Sequence, residues 1–322
     1  MSCRTTNIVN FSHMELSIGV DIGGSHITCA LIDLEKKEII RETLTEIPVD
    51  NQGEAHEIIE TWSESIRKSM RKIDPSQVKG LGFAMPGPFD YVNGICLIKG
   101  IPKYEKLYGI NVGEEIRKSV GLTADQEVRF MNDAFSFAVG ESIAGQAKGS
   151  TKSMAITLGT GFGSAFIENN VPVVTGDSVP RLGYVYHIKY KDGIADDYFS
   201  TRWFLRRYKE LTGKDADGVK FIANEAVRKE NIREIFKEFG TSLGEFLAPV
   251  LNRFGATVLV IGGNISRAFD LFGPSLEAAL RKNNCSSEAY TSLLKEDAAL
   301  LGSAFLLETE FWNAVKGSLK YL

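Results

Sequence analysis

The segment LSIGVDIGGS, residues 16–25, is an apolar run that ends in an aspartate, Asp21, followed by a glycine-rich turn. Its aliphatic residues predict a strand, and its glycines predict a tight turn. Residues 27–33 and 38–44 have the same character and are predicted to be the next two strands. The chain therefore opens with a predicted antiparallel meander whose first turn follows an acidic residue.

The opening pattern returns in the middle of the chain. Residues 153–168 again predict a strand, a glycine turn and a strand. Superposing Gly161 on Gly23 gives an offset of 138 residues and places Gly159 on Asp21. Solenoid repeats have periods of about 20–50 residues, so a repeat of this length indicates two similarly folded domains. The length of 322 residues agrees, since a domain usually has about 100–200 residues.

The composition is typical of a globular protein with a substantial core. Hydrophobic residues make up 43% of the chain and charged residues 24%, which excludes a disordered, collagenous or coiled-coil protein. The 37 basic and 41 acidic residues give a net charge of -4. No basic excess is available to neutralise a phosphate backbone, so we expect no nucleic-acid partner.

Cysteine spacing and hydropathy indicate a reducing compartment. Cys3, Cys29, Cys96 and Cys285 include no CxxC pair, which supports neither a disulfide framework nor a zinc knuckle. No apolar run approaches the roughly 18 residues of a membrane span, and no signal-peptide core opens the chain. Residues 1–14 are predicted to be an irregular tail. We therefore expect a soluble cytoplasmic protein without a membrane partner.

The remaining pattern alternates strands with helices, as in an α/β fold. In the first half it predicts helices at residues 54–72, 111–120 and 134–144, with strands at 78–85 and 128–131. In the second half it predicts helices at residues 195–211, 219–229, 231–254 and 292–307, with a strand at 257–261.

Three predicted strands end in glycine turns, at residues 21–25, 159–163 and 262–264. Glycine, which lacks Cβ, lets successive backbone N–H groups approach an anion and form a cradle for phosphate oxygens. Hairpin geometry alone explains a single turn of this kind. Three together predict a nucleotide site, with Gly23 and Gly161 facing each other across a cleft. The commonest dinucleotide and Walker phosphate motifs are both missing from the sequence.

Asn132 and Asp133 end an apolar strand and begin a helix. One interpretation is a helix N-cap, which asparagine and aspartate favour. The other is a catalytic pair, because catalytic residues are common at strand ends that face a cleft. A carboxylate in this position is a suitable base for a hydroxyl group.

Together these residues resemble the repressor/ORF/kinase (ROK) family of sugar kinases, in the actin-like ATPase superfamily. The resemblance runs from about residue 16 to the last predicted helix. Residues 21–25 resemble the family's DxGGT phosphate loop, and residues 86–88 resemble its PG sugar-side loop. Residues 132–134 resemble its NDA catalytic segment. Residues 159–161 resemble its GTG phosphate loop, and residues 262–265 resemble its adenosine-side GG motif. The combination in this order is specific, although each segment alone is not.

The resemblance implies an α/β fold of two ribonuclease H-like domains with an interdomain cleft. We expect one domain at 15–133 plus 292–322 and the other at 134–291. It implies ATP and Mg²⁺ as cofactors, with Mg²⁺ held through water by Asp21. The implied nucleotide-binding residues are Asp21, Gly23, Gly24, Ser25, Gly159, Thr160, Gly161, Gly262, Gly263 and Asn264. The implied sugar-binding residues are Gly87, Asn132, Asp133, Tyr184 and His187. A homodimer is also implied.

Three departures from the family pattern concern the ligand sites. His26 stands where a lysine often follows DxGGT. In the segment that resembles GExGH, His187 is kept but Tyr184 replaces the glutamate. The cysteine-rich CxCGxxGCxE segment is replaced by residues 190–197, and the next cysteine is Cys285, so we expect no zinc site.

The replaced segment leaves two questions open. Asp196 and Asp197 are candidates for the lost sugar-binding carboxylate, and the alternative is that they are solvated acids or a helix start. Tyr184, Tyr186 and Tyr190 are candidates for holding the loop by packing. Because Tyr184 is not a charged acceptor, we expect either a substrate preference other than plain glucose or weak affinity.

The favoured hypothesis is ATP-dependent phosphorylation of a hexose or N-acetylhexosamine hydroxyl, with Asp133 as general base. The alternative is a non-catalytic sensor of the same fold that binds sugar or nucleotide. A third possibility, the family's repressor branch, is disfavoured because only about 15 residues precede the first predicted strand. Retention of both Asp21 and Asp133 favours the kinase.

Overall fold

The first sheet and its helices form the N-terminal lobe. The structure, a computed structural model, describes residues 14–321, so most of the predicted tail lies outside the described residues. The strands are β1 Leu16–Ile22, β2 His26–Asp33, β3 Glu38–Ile39, β4 Thr45–Pro48, β5 Val78–Met85, β6 Phe89–Asp90, β7 Ile95–Cys96 and β8 Glu127–Asn132. The helices are α1 Ala55–Ser69, α2 Val112–Val120 and α3 Asp133–Ala144. The six-stranded sheet has the order β3-β2-β1-β5-β8, with β4 paired to β2.

The second sheet and its helices form the C-terminal lobe. Its strands are β9 Lys152–Leu158, β10 Phe162–Glu168, β11 Val171–Pro172, β12 Lys189–Tyr190, β13 Gly193–Ile194, β14 Val258–Gly262 and β15 Glu288–Thr291. Its helices are α4 Ala195–Tyr198, α5 Thr201–Thr212, α6 Val219–Ala226, α7 Glu230–Phe254 and α8 Phe269–Lys282. The sheet order is β11-β10-β9-β14-β15. Two further helices, α9 Asp297–Ala304 and α10 Thr309–Leu319, return to the first lobe.

The two sheets open in the same way, which confirms the α/β class and the internal repeat. In each, the first two strands pair antiparallel, and the first strand then pairs with a later parallel strand. The offset of 138 is wrong, however. Ile22 and Leu158 end their strands 136 positions apart, and His26 and Phe162 begin the next strands at the same spacing. The structural counterpart of Asp21 is therefore Thr157 rather than Gly159.

The predicted third strand is divided in two. A short 3₁₀ turn, Arg41–Thr43, separates β3 from β4. The Thr43 hydroxyl accepts a hydrogen bond from the backbone N–H of Leu31 at 2.9 Å and donates to the carbonyl of Ile40 at 2.7 Å. The Thr43 hydroxyl thus replaces a backbone carbonyl as the hydrogen-bond acceptor for β2. The backbone of residues 41–43 can therefore leave the strand and turn.

Other predicted elements also differ from the structure. The helix at 195–211 is interrupted between α4 and α5, where the Ser200 hydroxyl donates to the Asp196 carbonyl at 2.7 Å. The last predicted helix begins at Asp297 rather than at 292. The edge strand β15 and the helix α10 were not predicted. None of the helices formed by residues 14–321 is both long and apolar enough to cross a membrane.

Helices α3 and α9 connect the lobes. Helix α9 packs on β1 and β5 of the first sheet, while α3 packs on β9 and β10 of the second. The helices touch at glycines: a methyl group on Gly140 would overlap the carbonyl of Ala298, and one on Gly302 would overlap the carbonyl of Ser136. Strand β8 leads directly into α3, so Asn132 and Asp133 lie where the lobes meet. The predicted domain boundaries remain a prediction.

Candidate active site

Two chambers open where the lobes meet. One, about 780 Å³, is lined by three tyrosines, Tyr91, Tyr184 and Tyr186, and is called the Tyr184 chamber below. The other, about 700 Å³, is lined by Asp21 and Lys103 among others and is called the Asp21 chamber. The lining residues that the chambers share are Asp133, Ala134, Thr157, Gly263 and Asn264. The chambers therefore meet at the start of α3.

The Asn132 side chain is used to begin α3. Its Oδ1 accepts a hydrogen bond from the Ala134 N–H at 3.0 Å, so Asn132 is the N-cap. Its Nδ2 donates to the Tyr91 hydroxyl at 3.2 Å, and that hydroxyl donates to the Met85 carbonyl at 3.1 Å. Gly87 allows this network, since a Cβ there would lie 3.1 Å from the Tyr91 hydroxyl. The N-cap interpretation is thus correct for Asn132, which also lines the Tyr184 chamber.

The Asp133 side chain is exposed and lies on the wall shared by both chambers. Its Oδ1 accepts from the Ala134 N–H at 2.9 Å. Among residues 14–321, no side chain forms an ion pair within 4.0 Å of its carboxylate. Its second oxygen is available to a group that enters either chamber. This arrangement provides a proton acceptor where two ligands would meet.

Acidic charge accumulates in the Asp21 chamber. Burial, followed by the charges of Asp133 and Glu296, raises the pKa of Asp21 to about 7, while Lys103 opposes this shift. Burial lowers the pKa of Lys103, and the charges of Asp133 and Asp21 oppose that change. A divalent cation near Asp21 would offset the repulsion among these carboxylates. The oxygen donors fit Mg²⁺, which binds few carboxylates and keeps several waters.

The first two glycine turns both open on the cleft, but into different chambers. Gly23 and Gly24 line the Asp21 chamber, whereas Gly161 lines the Tyr184 chamber. A Cβ on Gly159 would have no neighbour within 4 Å, and one on Gly24 would meet only the end of Lys103, at 3.9 Å. Both turns therefore leave space in front of their backbone. Ser25 is exposed and lines neither chamber.

Asp196 holds the second turn from behind. Its Oδ1 accepts from the Phe162 N–H at 2.7 Å, and its Oδ2 pairs with Arg202. The same arginine donates to the Thr160 carbonyl at 3.0 Å. Asp196 lines the Tyr184 chamber, but its two oxygens are already used to fix the turn. Asp197 accepts from the Ile194 N–H at 3.1 Å within the first turn of α4, so its helix-start interpretation is correct.

The third turn needs glycine for packing. Gly263 has φ +80°, and a Cβ there would overlap the carbonyl of Leu158. A Cβ on Gly262 would overlap the Phe137 ring. The end of β14 can therefore lie directly against the end of β9. This places Gly263 and Asn264 in the shared wall, and Gly262 in the Asp21 chamber.

Aromatic rings form one wall of the Tyr184 chamber. The Tyr184 ring lies 5.5 Å from that of Phe135 and 5.7 Å from that of Tyr186. Burial, and then the charge of Asp133, raises the pKa of the Tyr184 hydroxyl, so the group is neutral. His187 is exposed, packs against Tyr186 at 5.3 Å and lines neither chamber. Within residues 14–321, no three acidic, histidine or cysteine side chains form a metal site.

Several lining residues could not be recognised in the sequence. Thr157 follows from the register of the second hairpin, which the glycine-based superposition missed. Lys103 belongs to an irregular segment with no periodic signal, Glu296 directly precedes α9, and Tyr91 follows the PG segment without a motif of its own. The topology brings these residues to the cleft.

The chain is similar to known sugar kinases over nearly its whole length. It is 25% identical to a glucokinase of Thermotoga maritima over 320 residues, covering 90% of this chain and 96% of the relative. It is 23% identical to an N-acetyl-D-glucosamine kinase of Vibrio cholerae over 310 residues, covering 89% and 98%.

Solved structures share the fold. A ROK family glucokinase from Streptomyces griseus, in complex with glucose and AMPPNP, matches with a TM-score of 0.70 and 22% identity, covering 90% of this chain and 98% of the other. A ROK family transcriptional regulator, a homologue of the E. coli MLC protein, matches with a TM-score of 0.76 and 17% identity, covering 96% and 81%. These neighbours have the two-domain actin-like ATPase fold, as this chain does. The ROK family model matches residues 17–310, and the chain therefore belongs to the ROK family.

Proposed function

We propose that this protein is an ATP-dependent sugar kinase that phosphorylates a hydroxyl of a hexose or N-acetylhexosamine. The observation that carries the proposal is the exposed Asp133 carboxylate on the wall shared by the two chambers. A sugar in the Tyr184 chamber and a nucleotide in the Asp21 chamber would meet beside it. The sugar kinases among the relatives, and the neighbour solved with glucose and AMPPNP, support a sugar and a nucleotide as the two ligands.

In this proposal Asp133 is the general base. Phosphoryl transfer depends mainly on positioning and charge stabilisation, and the acceptor hydroxyl becomes a better nucleophile as its proton is taken up. Asp133 has one carboxylate oxygen committed to the helix start and one available for that proton. Asn132 fixes the strand-to-helix turn and thereby positions its neighbour.

Asp21 is assigned to the metal side of the site. Mg²⁺, when bound to ATP, would neutralise charge on the phosphates, and Asp21 would hold it through water. Gly23 and Gly24 would receive the phosphates from one lobe, and Gly262, Gly263 and Asn264 would receive the nucleotide from the other. The second glycine turn lines the Tyr184 chamber instead, through Gly159, Thr160 and Gly161. The proposal includes no zinc.

Replacement of Asp133 by asparagine tests this function. The variant keeps the oxygen that accepts from Ala134 but cannot take up the proton. Because general base catalysis contributes typically about 10²–10⁴-fold, kcat should fall by roughly that factor. The sugar dissociation constant should change little. The measurements are ADP release with glucose or N-acetylglucosamine and calorimetric sugar binding.

Asp197→Asn is the matched control, since it also removes a carboxylate near a helix start but lies outside both chambers. It should leave kcat unchanged. An Asp133→Asn variant with nearly full activity would contradict the assignment of the base.

The second candidate is a non-catalytic sensor of the same fold. Tyr184 favours it, because an aromatic wall replaces the charged acceptor that the family pattern has at this position. A sensor would bind a sugar but would release no ADP from ATP when assayed with a series of hexoses and N-acetylhexosamines. The homodimer, the cytoplasmic location and the domain boundaries given above remain predictions.

A further inference from the structure

One lysine is held at the first glycine turn by a separate loop. Lys103 lies between β7 and α2, and its neighbour Tyr104 is buried. The Tyr104 hydroxyl donates to the Gly23 carbonyl at 2.7 Å, and the Tyr104 N–H donates to the Asn51 carbonyl at 2.7 Å. The Asn51 amide in turn donates to the Gly24 carbonyl. The loop is thus fixed to the turn on both sides of Gly24.

The ammonium group lies in front of that turn and over the Tyr104 ring, 5.5 Å from the ring centre. A Cβ built on Gly24 would lie 3.9 Å from Nζ of Lys103, with no closer neighbour. Within residues 14–321, the ammonium lies farther than 4.0 Å from every carboxylate oxygen, so it forms no ion pair there. Lys103 is half-buried. A partly desolvated cation without an ion-pair partner favours an anionic ligand.

Lys103 differs from the other basic residues of the Asp21 chamber. His26, Arg267 and Lys295 also line it. Arg267 and Lys295 are exposed, whereas Lys103 and His26 are half-buried. Lys103 is also the one whose charge acts on the pKa of Asp21, while Asp21 and Asp133 both act on its own. Lys103, the proposed metal-side carboxylate and the proposed base thus line one chamber and influence one another by charge.

We propose that Lys103 binds the γ-phosphate of ATP and stabilises the phosphoryl group during its transfer; this rests on the proposed kinase function. As the bond from the sugar oxygen to the γ-phosphorus forms, the bond to the β,γ-bridging oxygen breaks, and ADP leaves with that electron pair. The hydroxyl proton passes to Asp133. Lys103 keeps its protons and donates hydrogen bonds to the peripheral oxygens of the transferred group.

The test compares two nucleotides that differ in the γ-phosphate. Calorimetry with Mg-AMPPNP and Mg-ADP is carried out on wild type and on Lys103→Met. A lost charge-assisted hydrogen bond corresponds to roughly 10- to 100-fold weaker binding. We expect a loss of that size for Mg-AMPPNP, with Mg-ADP affinity nearly unchanged. Lys103→Arg should recover most of the difference, because it restores the charge.

Lys99→Met is the matched control. Lys99 belongs to the same loop but is exposed, lies over the Tyr108 ring and lines neither chamber. It should bind both nucleotides as wild type does. If Lys103→Met does not fold, Lys103→Gln and Lys103→Arg provide the same comparison.

The outcomes separate this inference from the proposed function. If wild type binds Mg-AMPPNP and Lys103→Met binds it equally well, Lys103 has no phosphate role. An equal loss for both nucleotides would also overturn the inference, because it indicates a role in shaping the turn. If wild type binds neither nucleotide, the proposed ATP site fails together with the assignment of Lys103.

Discussion

The Asp21 carboxyl group has a higher pKa in the folded protein than in the unfolded chain. Its pKa is raised to about 7, against about 3.9 in an unfolded chain. Its contribution to stability is therefore fully present below about pH 4 and is lost as pH rises through about 7. Asp21→Asn does not titrate, so without Mg²⁺ the variant should become increasingly more stable than wild type between these pH values. Thermal melts at pH 5, 6 and 8 measure the difference.

Asp133 supplies a control for this effect. The charge of Asp133 is one of the causes of the raised pKa of Asp21, so Asp133→Asn should lower that pKa. The loss of stability with rising pH should then be complete at a lower pH than in wild type. A stability difference between wild type and Asp21→Asn that is constant from pH 5 to pH 8 would show that Asp21 is ionised throughout this range.

Tyr184 lines the same chamber as Asp133 and sets the chemistry of its aromatic wall. Its neutral hydroxyl cannot replace a carboxylate as an acceptor for sugar hydroxyls, and we expect weak use of plain glucose. Tyr184→Glu should raise kcat/KM for glucose relative to N-acetylglucosamine by roughly 10-fold, the lower range for a charge-assisted hydrogen bond. Tyr184→Phe, which removes only the hydroxyl, should leave that ratio unchanged. Efficient glucose turnover by wild type would contradict this prediction.

The candidate residues at strand ends line the chambers, whereas some of those assigned from loop motifs do not. Asp21 and Asp133 terminate apolar strands, and parallel strands bring such ends to the same edge of a sheet. Ser25 and His187 were assigned by position within a motif, yet both are exposed and outside the chambers. Lys103 reaches the site because its neighbour Tyr104 donates a hydrogen bond to Gly23, in a turn far away in sequence, and no local pattern encodes this contact.

At the scale of elements, long periodic segments were predicted and short ones were not. The strand β5 is a largely buried apolar run, and the helix α7 repeats its apolar spacing over 25 residues, so their type was clear. The edge strand β15 has four residues and depends on its pairing with β14, which is a tertiary contact. The division of the third strand depends on one hydroxyl, that of Thr43, taking the place of a backbone acceptor.

Aromatic rings pack around Tyr190 in the loop between β11 and α5, where we expect no zinc. The Tyr190 ring lies 5.2 Å from Phe199, 5.5 Å from Phe246 and 5.1 Å from Tyr198. We expect treatment with a chelator, followed by restored Mg²⁺, to leave both melting temperature and activity unchanged. Tyr190→Ala should destabilise the protein by up to about 3 kcal/mol. About one zinc per chain after chelator washing would contradict the prediction.

The whole molecule consists of two similar lobes joined through α3 and α9. The internal repeat made the two-lobe arrangement predictable, because each lobe opens with the same hairpin and turn. The exact offset between the two hairpins was not predictable. The sequence comparison aligned Gly161 with Gly23, whereas backbone pairing determines where the strands end. The helix pair was not predictable either, because its close approach depends on the absence of side chains at positions far apart in sequence.

That helix pair gives the prediction for the whole molecule. A methyl group on Gly302 of α9 would overlap the Ser136 carbonyl of α3, so Gly302→Ala must push apart the helices that join the lobes. Overpacking of this kind costs about 1–3 kcal/mol, more than alanine adds through helix propensity. The free energy of unfolding in urea should therefore fall, and kinase activity should fall with it, because Asp133 begins the displaced helix. Gly317→Ala is the control: its Cβ would meet nothing within 4 Å in α10, so it should be neutral or stabilising by up to about 1 kcal/mol. Equal stability of the two variants would show that the lobes tolerate a wider separation between α3 and α9.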